Sequence, residues 1–260
     1  MTSLRYGDVS VSQENFVVLV EIHRPPNNYF DRQLIRNLTE AFTALDDDPA
    51  CRAIVLASEG KSFCAGADFS PEGVSGGPGD PGAEQLYVEA VRLFACKKPV
   101  VAAIQGAAIG GGLGLALVAD FRVVSPEARF GANFVKLGVH PGFGLTFTLP
   151  RVIGLQRAKL MFLTGRRITG MDAVAWGLGD LLVPANQLRD AAKRLAGEIA
   201  ENAPLAVLST RSTMHRGLTE ALKAQTGHEL DEQIVLFRTE DHREGVRAVS
   251  ERRPGRFVGR

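Results

Sequence analysis

The stretch from Lys98 to Asp120 holds 21 residues (99–119) between its two charges, none of them charged, and it limits the folds open to this chain. On length alone it could cross a bilayer. A proline, a glutamine and a run of glycines interrupt the apolar block, however, and its first third is rich in valine and isoleucine. The pattern therefore predicts a buried strand over 100–104, a glycine-rich turn, and a helix of small residues over 112–119.

This turn should direct backbone N–H groups towards a ligand. Glycines allow close approach to the main chain, and the first N–H groups of a helix have no partner within the helix. The partial positive charge at a helix start favours an anion, or an oxygen that becomes charged during a reaction. The structural alternative is that the glycines only permit tight packing. Further sites are needed to choose between a ligand site and tight packing.

Composition excludes several classes of protein. The chain has 260 residues, of which 45% are hydrophobic and 23% charged, as in ordinary globular domains. A net charge of +1 gives no argument for a nucleic-acid partner, and no block of lysine and arginine suggests a membrane surface. Cys51, Cys64 and Cys96 have no metal-ligand spacing and cannot all pair. We therefore predict no metal site, no secretory signal, and a cytoplasmic location.

The first part of the chain is predicted to alternate between strands and helices. Strands are predicted at 9–12 and 16–22, and Asp31 is a plausible N-cap for the helix that follows. The run RAIVLA at 52–57 is typical of a buried parallel strand. Such strand and helix units predict a parallel sheet, in which ligands bind beyond the carboxyl ends of the strands. The loops at 64–68 and 106–112 should therefore open on the same edge.

The second half is predicted to be mainly helical. Thr169 with Asp172 resembles a capping box, and Asp241 is predicted to cap a last short helix. The glycine- and proline-rich segment 71–82 cannot be regular structure. We find no linker, and therefore predict one domain with a core over 1–195, which holds the ligand site, and a helical C-terminal region over 196–260.

Several motifs occur together in a specific order. They are KSFCAGAD at 61–68, KPV at 98–100, GGG at 110–112, LG at 137–138, PG at 141–142, LTG at 163–165, GL at 177–178 and EG at 244–245. Together they resemble the crotonase superfamily, which contains enoyl-CoA hydratases and isomerases. The resemblance covers nearly the whole chain, from about residue 9 to residue 259.

The resemblance implies an α/β fold, a spiral of ββα units with a C-terminal helical trimerisation region, and a homotrimer or a dimer of trimers. It implies an acyl-CoA substrate and no cofactor, because coenzyme A is part of the substrate. It also implies an oxyanion hole formed by the backbone N–H groups of Ala67 and Gly111. Fixed dipoles at that point would stabilise the oxygen of a thioester that becomes an enolate.

The departures from the family pattern concern proton transfer. Hydratases of this family carry one glutamate two residues after the glycine triplet and another in the segment after Phe-Gly. Those positions are Gly114 and Phe134 here. Some isomerases carry an acid just after the proline of the LGxxP element, which is Gly142 in this chain. Ordinary hydration of a 2-enoyl-CoA is therefore not expected.

His140 is the best remaining candidate for a general acid or base, because it is the only imidazole in this region and imidazole is the side chain most often used to transfer protons. Cys64 is an alternative thiol nucleophile. A further set of residues is predicted to bind the substrate: Arg24, Ala65, Asp68, Gly110, Gly114, Phe134, Leu137, Gly142 and Phe143. Plain packing is the alternative for the apolar members, and a solvated side chain is the alternative for Arg24.

Two classes of function remain. The first is an acyl-CoA enzyme, a lyase or isomerase of this superfamily with an atypical acid or base. The second is a non-catalytic acyl-CoA binding protein that keeps the oxyanion hole. The glycines at 110–112 are expected in both classes, so they do not discriminate.

Overall fold

A computed structural model describes residues 4–68 and 83–260 of the chain. The predicted irregular segment at 71–82 lies outside the described residues. In chain order the strands are β1 (Leu4–Tyr6), β2 (Val9–Glu14), β3 (Val17–Ile22), β4 (Ala53–Ser58), β5 (Val100–Ile104), β6 (Ala107–Ile109), β7 (Phe121–Val124), β8 (Arg129–Gly131), β9 (Arg167–Thr169) and β10 (Leu181–Leu182).

The described helices alternate with these strands and then dominate the C-terminal third. They are α1 (Arg32–Asp46), α2 (Ala83–Phe94), α3 (Gly111–Ala116), α4 (Leu145–Ile153), α5 (Leu155–Thr164), α6 (Gly170–Trp176), α7 (Leu188–Ala200), α8 (Pro204–Met214), α9 (Leu218–Leu236) and α10 (Glu240–Ser250). Short 3-10 turns lie at Phe134–Leu137 and Ala185–Gln187.

The strands form two sheets. The larger has the order β1-β2-β3-β4-β5-β7-β10, with antiparallel pairing up to β3 and parallel pairing from β3 onwards. The smaller has the order β6-β8-β9. The predicted parallel sheet is thus present, and β4 and β5 lie at its centre.

The core has a layer on each face of the larger sheet. Every residue of β4 and β5 is buried. Ile54 and Leu56 belong to the large cluster that includes the apolar face of α1, whereas Val55 packs with small residues of α7 on the other face. Because side chains alternate along a strand, one uninterrupted apolar run supplies both layers.

Several local predictions are confirmed. The strand over 100–104 lies where it was expected. Asp31 caps α1, and its Oδ1 accepts a hydrogen bond from Leu34 N at 2.7 Å. Thr169 and Asp172 form the predicted capping box of α6.

Other local predictions need correction. The helix predicted over 112–119 is α3, which begins and ends earlier, and β6 precedes it. The cap of α10 is Thr239, whose side chain accepts from His242 N, and not Asp241. The Asp241 carboxylate instead accepts from Val258 N at 2.6 Å and Gly259 N at 2.9 Å. It therefore holds the C-terminal segment rather than the helix.

The predicted division between residues 195 and 196 falls inside α7, which packs on the larger sheet. The division itself remains a prediction. Among residues 4–68 and 83–260, no helix combines the length and the apolar character needed to span a membrane.

Candidate functional site

The two loops singled out in the sequence lie side by side. Cys64 N donates to Ala107 O at 2.8 Å, and Ile109 N donates back to Cys64 O at 3.0 Å. On its other side the same loop pairs with the segment before α1, where Phe30 N donates to Gly66 O at 3.0 Å. The loop after β4 is therefore fixed between two neighbours, which confirms that both loops open on one edge.

The glycine triplet lies where the chain enters α3. Gly110 has a positive φ of 57° and donates its N–H to Gly131 O at 2.8 Å. A Cβ on Gly112 would overlap the carbonyl oxygen of Cys64. Only glycine at that position lets the two loops pack this closely.

The backbone N–H groups of Ala67 and Gly111 are both available to a ligand. Within the described part of the chain, neither donates a hydrogen bond to another backbone group. Both residues line the same cavity, which has a volume of about 470 Å³. Unpaired N–H groups in a partly buried wall are costly unless a ligand or water accepts from them. The pair is therefore suited to bind an oxygen atom.

Most of the predicted site residues line this cavity. They are Ala65, Ala67, Asp68, Gly110, Gly111, Phe134, Leu137, Gly142 and Phe143. Gly114, His140 and Arg24 are the predicted site residues that do not. The cavity wall is mainly apolar, with a few polar groups, as is usual for a small-molecule site.

Gly114 lies beneath Phe143, which separates it from the cavity. A Cβ on Gly114 would lie 2.6 Å from Phe143 Cδ1. The ring packs edge-on against Phe30 and Phe94, with centroids 5.6 Å and 6.4 Å away. The space that a side chain at 114 would enter is thus filled by a phenyl ring.

The segment that carries Phe143 is held from outside the cavity. Phe143 has a φ of 64°, which is uncommon for a bulky residue. The buried carboxylate of Glu229 on α9 accepts from Gly144 N at 2.7 Å and from the Thr146 backbone N–H and hydroxyl. Burial raises the pKa of Glu229, and the hydrogen bonds from Thr146 oppose that rise. Glu229 therefore caps α4 from a neighbouring helix and fixes the loop before it.

His140 lies next to α9 and not in the cavity lining. Its Nδ1 is 2.7 Å from Pro141 O, and its ring meets that of His228 at a centroid distance of 6.1 Å. The predicted acid or base is therefore not brought together with the two N–H groups. Its place in the sequence beside Pro141 did not determine which way the imidazole faces.

Arg24 is held by two carboxylates beside the site. Its Nε donates to Asp8 Oδ2 at 2.6 Å, and its Nη1 lies 2.9 Å from Asp31 Oδ2. Burial lowers the pKa of Arg24, but the hydrogen bonds that it donates to Asp31 and Asp8 raise it by more, so the net pKa is above the ordinary value. Arg24 lines a separate cavity of about 320 Å³, which shares Tyr29, Phe30 and Asp68 with the main one.

The thiol alternative fits the geometry poorly. Cys64 is fully buried, and burial raises the pKa of its thiol to about 12. The reactive form of cysteine is the thiolate, so this thiol is inert near neutral pH. Within residues 4–68 and 83–260, no group of three histidine, cysteine, aspartate or glutamate side chains could hold a metal ion.

The sequence did not predict Tyr29, Tyr87, Arg167, Gln233 or Ser250, which are polar residues of the cavity wall. Tyr87 of α2 donates its hydroxyl proton to Gln233 Oε1 of α9 at 2.7 Å, and both residues line the cavity. Burial raises the pKa of Tyr87, and the charge of Glu229 adds to the rise. The available signal was weak: Tyr87 and Gln233 each stand beside an apolar helical stripe, at Leu86 and Ile234.

Known proteins resemble this chain over nearly all of its length. A family model described as enoyl-CoA hydratase/isomerase matches residues 12–260. A crotonyl-CoA hydratase of Syntrophomonas wolfei is 33% identical over 262 residues, which cover 99% of this chain and 100% of that protein. A carnitinyl-CoA dehydratase of Proteus mirabilis is 33% identical over 251 residues, which cover 94% of this chain and 95% of that protein.

A solved structure agrees with these matches. The crystal structure of an enoyl-CoA hydratase/isomerase from Pseudoalteromonas atlantica superposes with a TM-score of 0.85 at 26% identity, covering 97% of this chain and 100% of that one. The predicted crotonase fold is thereby confirmed. With its fold, its paired loops and its sequence in agreement, the chain belongs to the enoyl-CoA hydratase/isomerase family of the crotonase superfamily.

Proposed function

We propose that the cavity binds the acyl part of a CoA thioester, with the thioester oxygen accepting hydrogen bonds from the N–H groups of Ala67 and Gly111. The observation that carries this proposal is that both groups lack a backbone partner among the described residues and line one cavity. Removal of a proton from the α-carbon would place negative charge on that oxygen, where fixed N–H dipoles stabilise it without reorganisation. Loss of one such donor raises a barrier by about 3 to 4 kcal/mol.

Proton transfer should differ from that of a two-glutamate hydratase. Phe134 lines the cavity where such an enzyme holds a carboxylate, and the ring of Phe143 covers Gly114. His140 lies outside the cavity lining, so the proposal routes no proton through it. Asp68 and Tyr87 are titratable side chains that do line the cavity.

Crotonyl-CoA hydration tests this part of the proposal. Without carboxylates to position and activate water, hydration should be about 10²- to 10⁴-fold slower than that of a hydratase with both. Phe134→Glu should raise the rate, because it returns one carboxylate to the cavity wall. Loss of the enoyl absorbance measures both rates. Wild-type turnover comparable to that of a two-glutamate hydratase would contradict the proposal.

The second candidate function is binding of acyl-CoA without catalysis, which the missing carboxylates favour. Incubation of the wild-type protein with butyryl-CoA in D₂O distinguishes an enzyme from a binding protein. An enzyme that forms the enolate should introduce deuterium at the α-carbon, as mass spectrometry would show. Bound but unlabelled butyryl-CoA would identify a binding protein.

Assembly and location remain part of the proposal. We propose a homotrimer or a dimer of trimers in the cytoplasm, with no cofactor and no nucleic-acid or membrane partner. The family resemblance supports the assembly. So do exposed apolar side chains on α8, where Leu205 is 81% and Met214 80% exposed.

A further inference from the structure

The hydroxyl of Tyr87 lies where a side chain at position 142 would begin. A Cβ built on Gly142 would overlap Tyr87 Oη and would lie 2.7 Å from Gln233 Nε2. Any residue larger than glycine would therefore displace the tyrosine or the glutamine. Position 142 is also the one at which some isomerases of the superfamily carry an acid. A hydroxyl from α2 thus fills the space that such an acid would enter.

The orientation of this hydroxyl is fixed by a chain of hydrogen bonds. Tyr87 donates to Gln233 Oε1 at 2.7 Å, and Gln233 Nε2 donates to His140 O at 2.9 Å. Because both ends of the amide are engaged, its oxygen faces the tyrosine. A phenol that donates its own proton keeps oxygen lone pairs that can accept a hydrogen bond.

The environment keeps Tyr87 neutral. Burial raises the pKa of its hydroxyl, the nearby charge of Glu229 adds to the rise, and contacts with Gln233 and the backbone of Phe143 oppose it. The net pKa is above the ordinary value of a tyrosine. At neutral pH the group is therefore a hydrogen-bonding hydroxyl and not a phenolate base.

The cavity wall that contains this hydroxyl is mainly apolar. Leu86, Val139, Phe143 and Phe237 are among the residues that line the cavity. An oriented polar group in a mainly apolar wall discriminates between ligands, because a matching polar atom gains a hydrogen bond that an alkyl chain does not.

We infer that Tyr87, oriented by Gln233, is a specificity residue that contacts the substrate and accepts a hydrogen bond from a hydroxyl group on the acyl chain. The inference rests on the proposed function, since it concerns the same cavity. It adds a contact for the acyl chain that is separate from the N–H pair at Ala67 and Gly111.

Calorimetry with matched ligands tests the inference. The measured quantity is the affinity for 3-hydroxybutyryl-CoA or 4-hydroxybutyryl-CoA, whichever binds more tightly, divided by the affinity for butyryl-CoA. One neutral hydrogen bond should make this ratio about 3 to 10 in the wild type. Tyr87→Phe keeps the ring and should reduce the ratio to about 1. Gln233→Met should lower it as well, because the hydroxyl loses its acceptor.

Tyr6→Phe is the matched control, because Tyr6 lies in β1 and does not line the cavity. Its ratio should equal that of the wild type. An unchanged ratio in Tyr87→Phe, or a wild-type ratio of 1, would overturn the inference while the proposed function stands. Failure of butyryl-CoA itself to bind the wild type would instead overturn the proposed function.

Discussion

At the scale of single residues, aromatic side chains fill the space at the three positions where we predict that related enzymes hold acids. The ring of Phe143 covers Gly114, and the hydroxyl of Tyr87 occupies the space next to Gly142. Phe134 stands at the third position and lines the cavity directly. These residues are mutually consistent, because Gly114 leaves room for the ring of Phe143 and Gly142 leaves room for the hydroxyl of Tyr87.

The packing of Phe143 on Gly114 predicts a measurable coupling. Gly114→Ala should destabilise the protein by about 1 to 3 kcal/mol, because its Cβ meets the ring at 2.6 Å. Phe143→Ala alone should cost about 3 to 5 kcal/mol, since Phe143 is only 2% exposed. Phe143→Ala removes the ring contacts at 2.6 and 2.8 Å and leaves only a 2.8 Å contact between the two Cβ atoms, so adding Gly114→Ala in that background should cost less than in the wild type. Urea unfolding of the wild type, the two single variants and the double variant gives the coupling free energy between positions 114 and 143.

Gly227→Ala is the matched control for that cycle. Gly227 lies within α9, and a Cβ there would meet nothing within 4 Å. Alanine should therefore stabilise the protein by about 0.5 to 1 kcal/mol. Additive free energies for Gly114→Ala and Phe143→Ala would show that the ring does not exclude a side chain at 114.

At the scale of helices and strands, Asp120 joins β5 to α8. Its Oδ2 accepts from Val100 N at the start of β5 at 2.8 Å, and Arg211 Nε of α8 donates to the same oxygen at 2.9 Å. His215 Nε2, at the end of α8, lies 3.3 Å from Oδ1. Since no residue of α8 is buried, this carboxylate is a main attachment of the helix to the sheet.

The ionisation of Asp120 predicts a pH-dependent stability. Burial raises the pKa of Asp120, but the hydrogen bond from His215 and the charge of Arg211 lower it by more, so the folded pKa is below the ordinary value. Its contribution is therefore present above the unfolded pKa of about 3.9 and is lost as the pH falls through the folded pKa. Asp120→Asn should cost about 1.5 to 3 kcal/mol at pH 7.

Urea unfolding at pH 7 and at about pH 3 measures this effect, because the second value lies below the unfolded pKa. The difference between wild type and Asp120→Asn should shrink at the lower pH. Asp231→Asn, on the exposed side of α9, should change the stability by less than about 0.5 kcal/mol at either pH. If Asp120→Asn lowered the free energy of unfolding by the same amount at both pH values, the ionised carboxylate of Asp120 would not be the source of the pH dependence.

Elements with a periodic local signal could be predicted from the sequence. The buried strand β5, the Asp31 cap of α1 and the capping box of α6 depend on residues close together in the chain. The cap of α10 was misassigned because Thr239 and Asp241 are both good capping residues, and the C-terminal segment takes Asp241. Long-range competition of this kind leaves no local pattern.

At the scale of the whole molecule, the loops of the site could be predicted, but the contact between Tyr87 and Gln233 could not. Ala67 and Gly111 stand in motifs whose small residues are read directly from the sequence, and both line the cavity. The contact between Tyr87 and Gln233 joins residues 146 positions apart on α2 and α9. Only the packing of those helices brings the pair to the cavity and leaves His140 outside its lining.

The central claim is that two backbone N–H groups bind the carbonyl oxygen of a thioester. The infrared spectrum of a bound thioester tests this claim most directly. Butyryl-CoA labelled with ¹³C at the thioester carbon isolates the C=O stretch of the bound ligand from the protein bands. Two N–H donors polarise the carbonyl, so the band of the bound ligand should move to lower wavenumber than that of free butyryl-CoA in water. A band at the free position, with binding confirmed by calorimetry on the same sample, would contradict the account.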